Sequence, residues 1–542
     1  MSEVYDYLIV GAGAAGCVLA NRLSARPNCR VLLLEAGPRD SHPFIHMPRG
    51  IAKVLANPAL VWPFPAQPAS GANTPPAVWV RGKTLGGSSS ANGMMYVRGQ
   101  PADFAEFAAL TSADWDWEQI GRIYDEAEGK GNARYARGEG LRTSVPPPHP
   151  LLDRLCETGA TQGLEWQQHI NQPDDRAKIG YCPSTIFDGR RQSAAVAFLK
   201  PVEKRPNLTV ITSALVDRVL FEGTRAIGVE ALVKGGSRRF MARRIILAGG
   251  TLASPAILQR SGVGPAKLLA RFAIPLVADR AEVGANLREH CALAMQWRLR
   301  RKLSLNPQFS GWRLIANAIR YYLVRSGPLA SAAYDVLGLF NSRGDTGRPD
   351  AQLIAAPFSI DKSRATLAME AEPGMQIAVY PLRPRSAGTV TITSRDPEEL
   401  PLSTLDFFAA SEDRETMIGA VRFVRRLVAS EPVASAIAGE TRPGLGVDSD
   451  DAILDAYRAM GTTAYHAVGT CRMGSDPDSV VDPLTRVRGT TGLHVADLSI
   501  APFVPAGNTF APVMALAWRA AELIGALDAA PTARKAVPVK PS

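Results

Sequence analysis

Cysteine is scarce in this chain: there are six in 542 residues, Cys17, Cys29, Cys156, Cys182, Cys291 and Cys471. None are paired at metal-ligand spacing, which excludes a zinc-knuckle framework and points to reduced thiols in a cytosolic setting. No Lys/Arg block occurs. The net charge of +10 is spread over the chain, and basic residues come singly, in pairs such as Arg243-Arg244 and Arg425-Arg426, or in the short run Arg300-Arg301-Lys302. Nucleic-acid binding is therefore not expected. An anionic cofactor, an acidic partner, a membrane surface or solubility alone could each use the basic excess. No run of 18 uninterrupted apolar residues exists; the best stretch, 509–530, is broken by Arg519, Glu522 and Asp528, so no transmembrane helix is expected. The N-terminus shows no basic segment followed by an apolar run and a cleavage site, so no secretory signal is expected. Internal repeats, low-complexity segments and a GxSxG elbow are also missing, and the last absence argues against a serine hydrolase. What is present is ordinary globular material, 46% hydrophobic and 21% charged, long enough for two to four domains.

The strongest local signal lies in the first forty residues. Asp6-Tyr7-Leu8-Ile9-Val10 reads as a buried parallel strand that enters Gly11-Ala12-Gly13-Ala14-Ala15-Gly16. Cys17 to Leu23 reads as a helix, and Arg30 to Leu34 as a second strand ending at Glu35. This βαβ unit with its GxGxxG turn is a dinucleotide cradle. The glycines permit a tight turn and close backbone approach, and the helix N-terminus offers free N–H groups to a pyrophosphate. Glu35 lies 19 residues after Gly16, where an acid accepts from ribose hydroxyls. It disfavours a 2′-phosphate but does not separate NAD from FAD.

A second glycine cluster, Arg81-Gly82-Lys83-Thr84-Leu85-Gly86-Gly87-Ser88-Ser89-Ser90-Ala91-Asn92-Gly93-Met94, carries dense N–H and hydroxyl groups. Leu85, Met94, Met95 and Tyr96 bracket it with groups that prefer burial, so it is not read as a surface linker. This run closely resembles the first signature of the glucose–methanol–choline (GMC) family of FAD oxidoreductases. The segment from Gly250 to Gly264 fits the second signature. Val283-Gly284-Ala285-Asn286-Leu287-Arg288-Glu289-His290 is similar to the family's VGxNLxDH, with Glu289 replacing Asp. Tyr465 to Gly474, Val481-Asp482-Pro483, Val495 to Ile500 and Gly507 to Pro512 complete a resemblance that covers nearly the whole chain, with Arg300 to Arg383 the least recognisable part. The nearest look is to bacterial alcohol dehydrogenases of the medium-chain alkanol type and to choline dehydrogenases.

The resemblance implies an α/β fold in which a Rossmann-like FAD-binding domain carries a second, mostly antiparallel-sheet α+β substrate-binding domain. The expected boundaries are 1–150, 195–295 and 460–530 for the first, 151–194 and 296–459 for the second, and a tail over 531–542. It implies that Gly11, Gly13, Ala14, Ala15, Gly16, Glu35 and Ala36 meet the adenosine end of FAD. Arg81, Gly86, Gly87, Ser88, Asn92, Gly93, Met94 and Met95 would meet the flavin end. Val216 and Ala248 would contribute from the sheet, and Asp497, Asn508 and Thr509 from the C-terminal side. Some choline-oxidising members tether the flavin through a histidine at the position of Ala91, so FAD is expected to be non-covalent here. Phe510 and Leu498 replace a common asparagine and alanine, and so are candidates for reshaping the pocket.

Seven histidines occur, at positions 42, 46, 149, 169, 290, 466 and 494, and composition alone does not rank them. The resemblance places His466 at the family's active-site histidine and Asn508 at its partner position. Alcohol oxidation needs a base for the hydroxyl proton while the hydride passes to the flavin, and neutral imidazole suits that task. Asn508 would donate to the same oxygen and hold the carbon in place. No metal is expected. His42 and His46 stand at i and i+4, but Pro43 and Pro48 argue for a loop there.

The expected reaction is oxidation of a small-molecule primary alcohol to an aldehyde, with electrons passing to a quinone or to oxygen. A choline-like oxidation or a hydroxynitrile lyase is the alternative, and oligomeric state is left open. A light-driven decarboxylase needs no alcohol base, and a non-catalytic flavin protein would not need the His466/Asn508 pair. Strands are expected at Gln352–Ala356, Gln376–Tyr380 and Gly388–Thr393 in the substrate-binding sheet, and a last helix at about Pro512 to Leu527. Leu314, Ile315, Ile319, Tyr322 and Leu323 recur at helical spacing beside Arg313, Arg320 and Arg325. The first reading is a helix covering the substrate domain. The second is a basic amphipathic helix on an anionic membrane, which would make a cytoplasmic enzyme peripherally associated with the inner membrane.

Overall fold

The computed structural model describes residues 4–68, 77–129, 140–168, 170–300, 302–344, 347–361 and 368–529. His169 and the expected tail over 531–542 lie outside the described residues. Two large sheets organise the chain. The first runs in the order Leu215–Glu222, Arg225–Val233, Gly236–Leu247, Val4–Val10, Val31–Leu34, Leu208–Ile211, with Leu493–Val495 also paired to Gly236–Leu247. Its centre is parallel: Leu8 stands beside Leu32 on one side and Ile245 on the other. All three are fully buried, as expected for strands covered on both faces. The helix Ala14–Leu23 follows the first strand and packs against the C-terminal helix Phe510–Ala529. That last helix is long and apolar enough to cross a membrane by length and composition. Met514, Leu516, Trp518 and Ile524 are nevertheless buried in the core, and each such side chain contributes about 1.5–3 kcal/mol.

The second sheet runs Ile437–Arg442, Cys291–Leu299, Gly374–Pro381, Ala351–Ala356, Val336–Phe340, Lys178–Tyr181, Glu165–Trp166. It is antiparallel except for its last pair. Strand alternation divides its two faces. Met375, Ile377 and Val379 join Met417, Val421, Val424 and Leu427 of the helix Ser411–Ala429. Ala378 and Tyr380 turn the other way and pack with Met95, Val97, Ile354 and Ala506. This second face joins the two parts of the molecule, because Met95 and Ala506 come from the segments expected to hold the cofactor.

The strand around Gly388 is displaced from its expected place. Thr389–Thr391 belongs to a small separate sheet with Leu402–Thr404, Val61–Gln67 and Ala77–Gly82. Leu287 and Gly388 exchange backbone hydrogen bonds, which ties this strand to the segment before His290. The loop expected around His42 is instead one helical turn, Pro43–His46. Pro43 occupies its first position, where a missing N–H costs nothing, and Pro48 opens the next turn. The helix expected at 312–324 forms as Gly311–Val324, but its apolar stripe faces outward.

Candidate active site

The glycine turn is built by backbone. Gly11 has φ +96°, and a Cβ there would lie 2.7 Å from the Ala248 carbonyl oxygen. A Cβ at Gly16 would lie 1.8 Å from the Gly11 oxygen, so only glycine lets the helix Ala14–Leu23 close on the strand. At Gly13 a Cβ would meet nothing within 4 Å. Ala14 and Ala15 open the helix beside that free space, and no side chain caps the helix N-terminus. Glu35 is buried, and its two oxygens accept from the N–H groups of Ala12 and Gly37, each at 2.8 Å. A carboxylate with one bond on each oxygen keeps acceptor capacity for a ribose hydroxyl. Burial pushes the Glu35 pKa up, while these N–H groups and Lys83 oppose the shift. Ala36 follows half-buried, and Ala214 donates to the Glu35 carbonyl just before Val216, which is buried in the strand Leu215–Glu222.

The serine-rich loop lies directly against this turn. The Gly86 N–H donates to the Ala12 carbonyl at 2.8 Å, and a Cβ on Gly87 would stand 2.7 Å from the Gly13 Cα. Both glycines have positive φ, so the close approach of the two loops depends on them. Ser89 and Ser90 bond carbonyls within the loop, whereas Ser88 is exposed and its hydroxyl accepts from the Gly82 N–H. Arg191 is buried behind the loop. It donates to the carbonyls of Ile45, Ser89 and Asn92 and to Asn92 Oδ1, with Nη2 left unpartnered. Burial without an acid lowers its pKa to about 9. Asn92 Oδ1 also accepts from the N–H of Met94, whose φ is +65°, while Met95 is buried against the second sheet. The open space at Gly13, the residual acceptor capacity of Glu35 and the exposed Ser88 suit a polar dinucleotide stretched along the two loops.

Two expected cofactor residues are engaged within the protein. Asp497 accepts from the Gly250 N–H at 2.8 Å, from Ser254 Oγ at 2.5 Å and from the Ser499 N–H at 2.8 Å. Arg81 turns to Glu289, with Nη2 to Oε2 at 3.3 Å. Thr509, Phe510 and Leu498 are buried, and the two apolar side chains belong to the main core.

The histidine pocket is assembled from side chains. Tyr465 takes φ +66°, an unusual state for a bulky residue, and this turn precedes buried His466. The His466 N–H donates to Glu289 Oε1 at 2.7 Å, the same oxygen that accepts from the His290 N–H at 2.9 Å. Burial raises the Glu289 pKa and Arg81 opposes that shift; the carboxyl group anchors both histidine backbones through Oε1 and meets Arg81 through Oε2. The rings then form a relay. His290 Nε2 lies 2.8 Å from the Leu382 carbonyl, His290 Nδ1 lies 2.9 Å from His466 Nδ1, and His466 Nε2 lies 3.1 Å from Asn508 Nδ2. A carbonyl can only accept, so His290 carries its proton on Nε2. Its bare Nδ1 must then accept from His466 Nδ1–H, which leaves the His466 lone pair on Nε2. Gln352 Nε2 donates to Asn508 Oδ1 at 3.3 Å and so turns the Asn508 amide N–H toward that lone pair. Tyr380 stacks on His290 with ring centroids 4.8 Å apart.

Burial dominates the electrostatics of this relay. The His466 pKa lies well below its ordinary value, first through desolvation and then through His290 and Arg81. His290 is lowered to about 4, again chiefly by desolvation. Both rings are therefore neutral at neutral pH, as the relay requires. Glu289, His290, Gln352, Tyr380 and Arg191 have no assigned role in the sequence reading. Only Glu289 and His290 carried a signal, as the end of the VGxNLxDH-like run. His42 accepts from the Phe44 N–H and His46 bonds the Asp40 carbonyl, so these rings serve local structure. Among the described residues no group of three or more His, Cys, Asp or Glu could hold a metal.

The arrangement pairs a dinucleotide cradle with a neutral imidazole base and an amide donor, which is suited to removing a proton and a hydride from an alcohol. The GMC oxidoreductase family models match residues 5–292 and 384–517. An alcohol dehydrogenase [acceptor] of Pseudomonas putida is 36% identical over 530 residues, covering 96% of each chain. The mitochondrial choline dehydrogenase of Homo sapiens is 35% identical over 537 residues, covering 96% of this chain and 90% of its own. Among solved structures, pyridoxine 4-oxidase from Mesorbium loti superposes with a TM-score of 0.85 at 28% identity, covering 96% of this chain and 99% of that one. The chain belongs to the GMC oxidoreductase family and is an FAD-dependent oxidoreductase acting on CH–OH donors.

Proposed function

We propose that the chain oxidises primary alcohols, aliphatic or aromatic, to aldehydes, with electrons passing on to a quinone-type acceptor or to oxygen. The observation that carries this reading is the relay from Leu382 through His290 to His466, which leaves one lone pair on His466 Nε2 facing the Asn508 amide. FAD, when bound, supplies the acceptor for the hydride that leaves the alcohol carbon. Gly11, Gly13, Gly16 and Glu35 would hold its adenosine end, and Gly86, Gly87, Ser88 and Asn92 its flavin end. Ala91 packs among Ile45, Val54 and Leu60 and offers no nucleophile, which supports non-covalent binding.

An alcohol hydroxyl entering between His466 and Asn508 would donate to Nε2 and accept from the Asn508 Nδ2–H. As the proton moves to Nε2, negative charge grows on the oxygen. The Asn508 amide, already turned by Gln352, stabilises that charge without reorganising. The His466 ring stays in place because Glu289 holds its backbone and His290 its far nitrogen. The core cluster that packs with Tyr380, the ring beside His290 and His466, is apolar and includes Val97, Ala292, Ile354, Ala378 and Ala506, which supports an uncharged alcohol. Anaerobic mixing of the holoenzyme with a series of primary alcohols and with choline tests the reading. Bleaching of the flavin with aldehyde formed in equal amount is expected for the uncharged alcohols. An enzyme that no alcohol bleaches, but which cleaves a cyanohydrin, would be a lyase.

A further inference from the structure

The helix Gly311–Val324 presents the wrong face to water. Its inward side is held by polar groups: Asn317 donates to the Gln308 carbonyl at 2.9 Å, and the Tyr321 hydroxyl to the Gly189 carbonyl at 3.1 Å. Its outward side is apolar. Trp312 is 73% exposed, Ile315 64%, Ile319 56%, Tyr322 64% and Leu323 78%, and their spacing of three, four, three and one residues sets them on one stripe. A surface helix ordinarily has the opposite arrangement. Clustered on one short helix, these side chains form the kind of patch that a soluble surface does not keep without a partner.

Charge identifies that partner. Between Glu289 and Asp335 the sequence has seven basic residues and no acidic one. Exposed Arg313 and Arg320 border one side of the stripe, and exposed Arg325 caps the helix end with φ +49°. A second copy docked through this helix would bring cation against cation, with no acid on the segment to pair them. Lipid phosphates supply the missing charge, and acyl chains accept the stripe. Trp312 and Tyr322, apolar rings with a polar tip, suit the depth between the two.

We infer that the helix Gly311–Val324 lies flat on an anionic bilayer, with Trp312, Ile315, Ile319, Tyr322 and Leu323 in the lipid and Arg313, Arg320 and Arg325 at the headgroups. The inference goes beyond the catalytic reading and does not depend on it. Its geometry reaches the site, however. The chain leaving the helix passes Pro328–Ala330 to Ala333, whose N–H donates to the Gly93 carbonyl at 3.1 Å. The lipid-facing helix is thereby tied to the serine-rich loop.

Flotation of the full-length holoenzyme with vesicles tests this, using phosphatidylcholine alone and phosphatidylcholine with phosphatidylglycerol. The wild type should float with the anionic vesicles and release in high salt. The double variant I315D/L323D should lose binding by at least about tenfold, since two side chains leave the lipid, while alcohol turnover in solution stays unchanged. A wild type that stays in the aqueous layer would overturn the inference, as would a variant that floats equally well. Equal binding to neutral vesicles would remove the role of the arginines. A wild-type dimer that the double variant converts to monomer would make a second copy the occupant.

Discussion

The glycine turn after Val10 and the histidine pocket around His466 are built in opposite ways. The turn is made of backbone within a few residues, and its shape depends on where a Cβ cannot fit. The pocket is made of side chains from five distant places: Glu289 and His290, Gln352, Tyr380, His466 and Asn508. A backbone site fails through sterics and takes cofactor binding with it. A side-chain relay fails by degrees, one bond at a time, with the fold intact.

The largest expected effect belongs to the turn. In Gly16→Ala the new Cβ would be driven onto the Gly11 oxygen, so FAD content should fall to a small fraction of wild type, measured as flavin released per chain. Retention of full flavin content would break the contrast. In the pocket, Asn508→Ala should keep its flavin and slow flavin reduction by about 10–10³-fold, as loss of one positioned donor. His290→Ala should cost about 10–100-fold, the value of one buried hydrogen bond that sets the His466 tautomer. That variant should also shift the acid limb of the rate profile, because His290 is one of the groups that set the His466 pKa. A merely structural role for His290 would leave the limb where it was.

The smallest effect is on stability against pH. His290 and His494 are buried with pKa values lowered to about 4. The unfolded chain binds these protons near pH 6.5 and the folded chain does not, so stability rises with pH between about 4 and 6.5. Each ring should withdraw up to about 1.4 kcal/mol per pH unit as acid is added across that window. Thermal unfolding followed from pH 7.5 to 5 measures this, and His494→Gln should flatten part of the slope. The effect reports both regions weakly, since His494 lies in a strand of the nucleotide sheet.

The same contrast explains what can be read from the sequence. The turn, the serine-rich loop and Glu35 are legible because each is a local pattern whose backbone consequence is local. His466 and Asn508 are legible from the motifs around them. Gln352 is not, because it reaches Asn508 only through a strand register that sets it opposite Tyr380. Sequence spacing carries no trace of that pairing. Nor does the Leu382 carbonyl, which sets the tautomer of the whole relay, show in any side-chain pattern. The helix Gly311–Val324 is legible as a helix, but periodicity alone does not say which face turns inward. Tyr321 and Asn317 decide it by finding carbonyl partners. The segment from Gly388 reads as a strand, yet its sheet partners come from Leu402–Thr404, Val61–Gln67 and Ala77–Gly82, a choice that only the folded chain makes.

The central claim is that His466 Nε2 takes the hydroxyl proton. Rapid anaerobic mixing of His466→Ala with a good primary alcohol, at several pH values, tests it most directly. The account predicts flavin reduction slowed by about 10²–10⁴-fold with FAD still bound. Because burial holds the His466 pKa well below 6.5, the wild-type rate should be flat through neutral pH and fall only toward acid. That acid limb should be gone in the variant. Reduction at near the wild-type rate in His466→Ala, or an unchanged acid limb, would contradict the assignment.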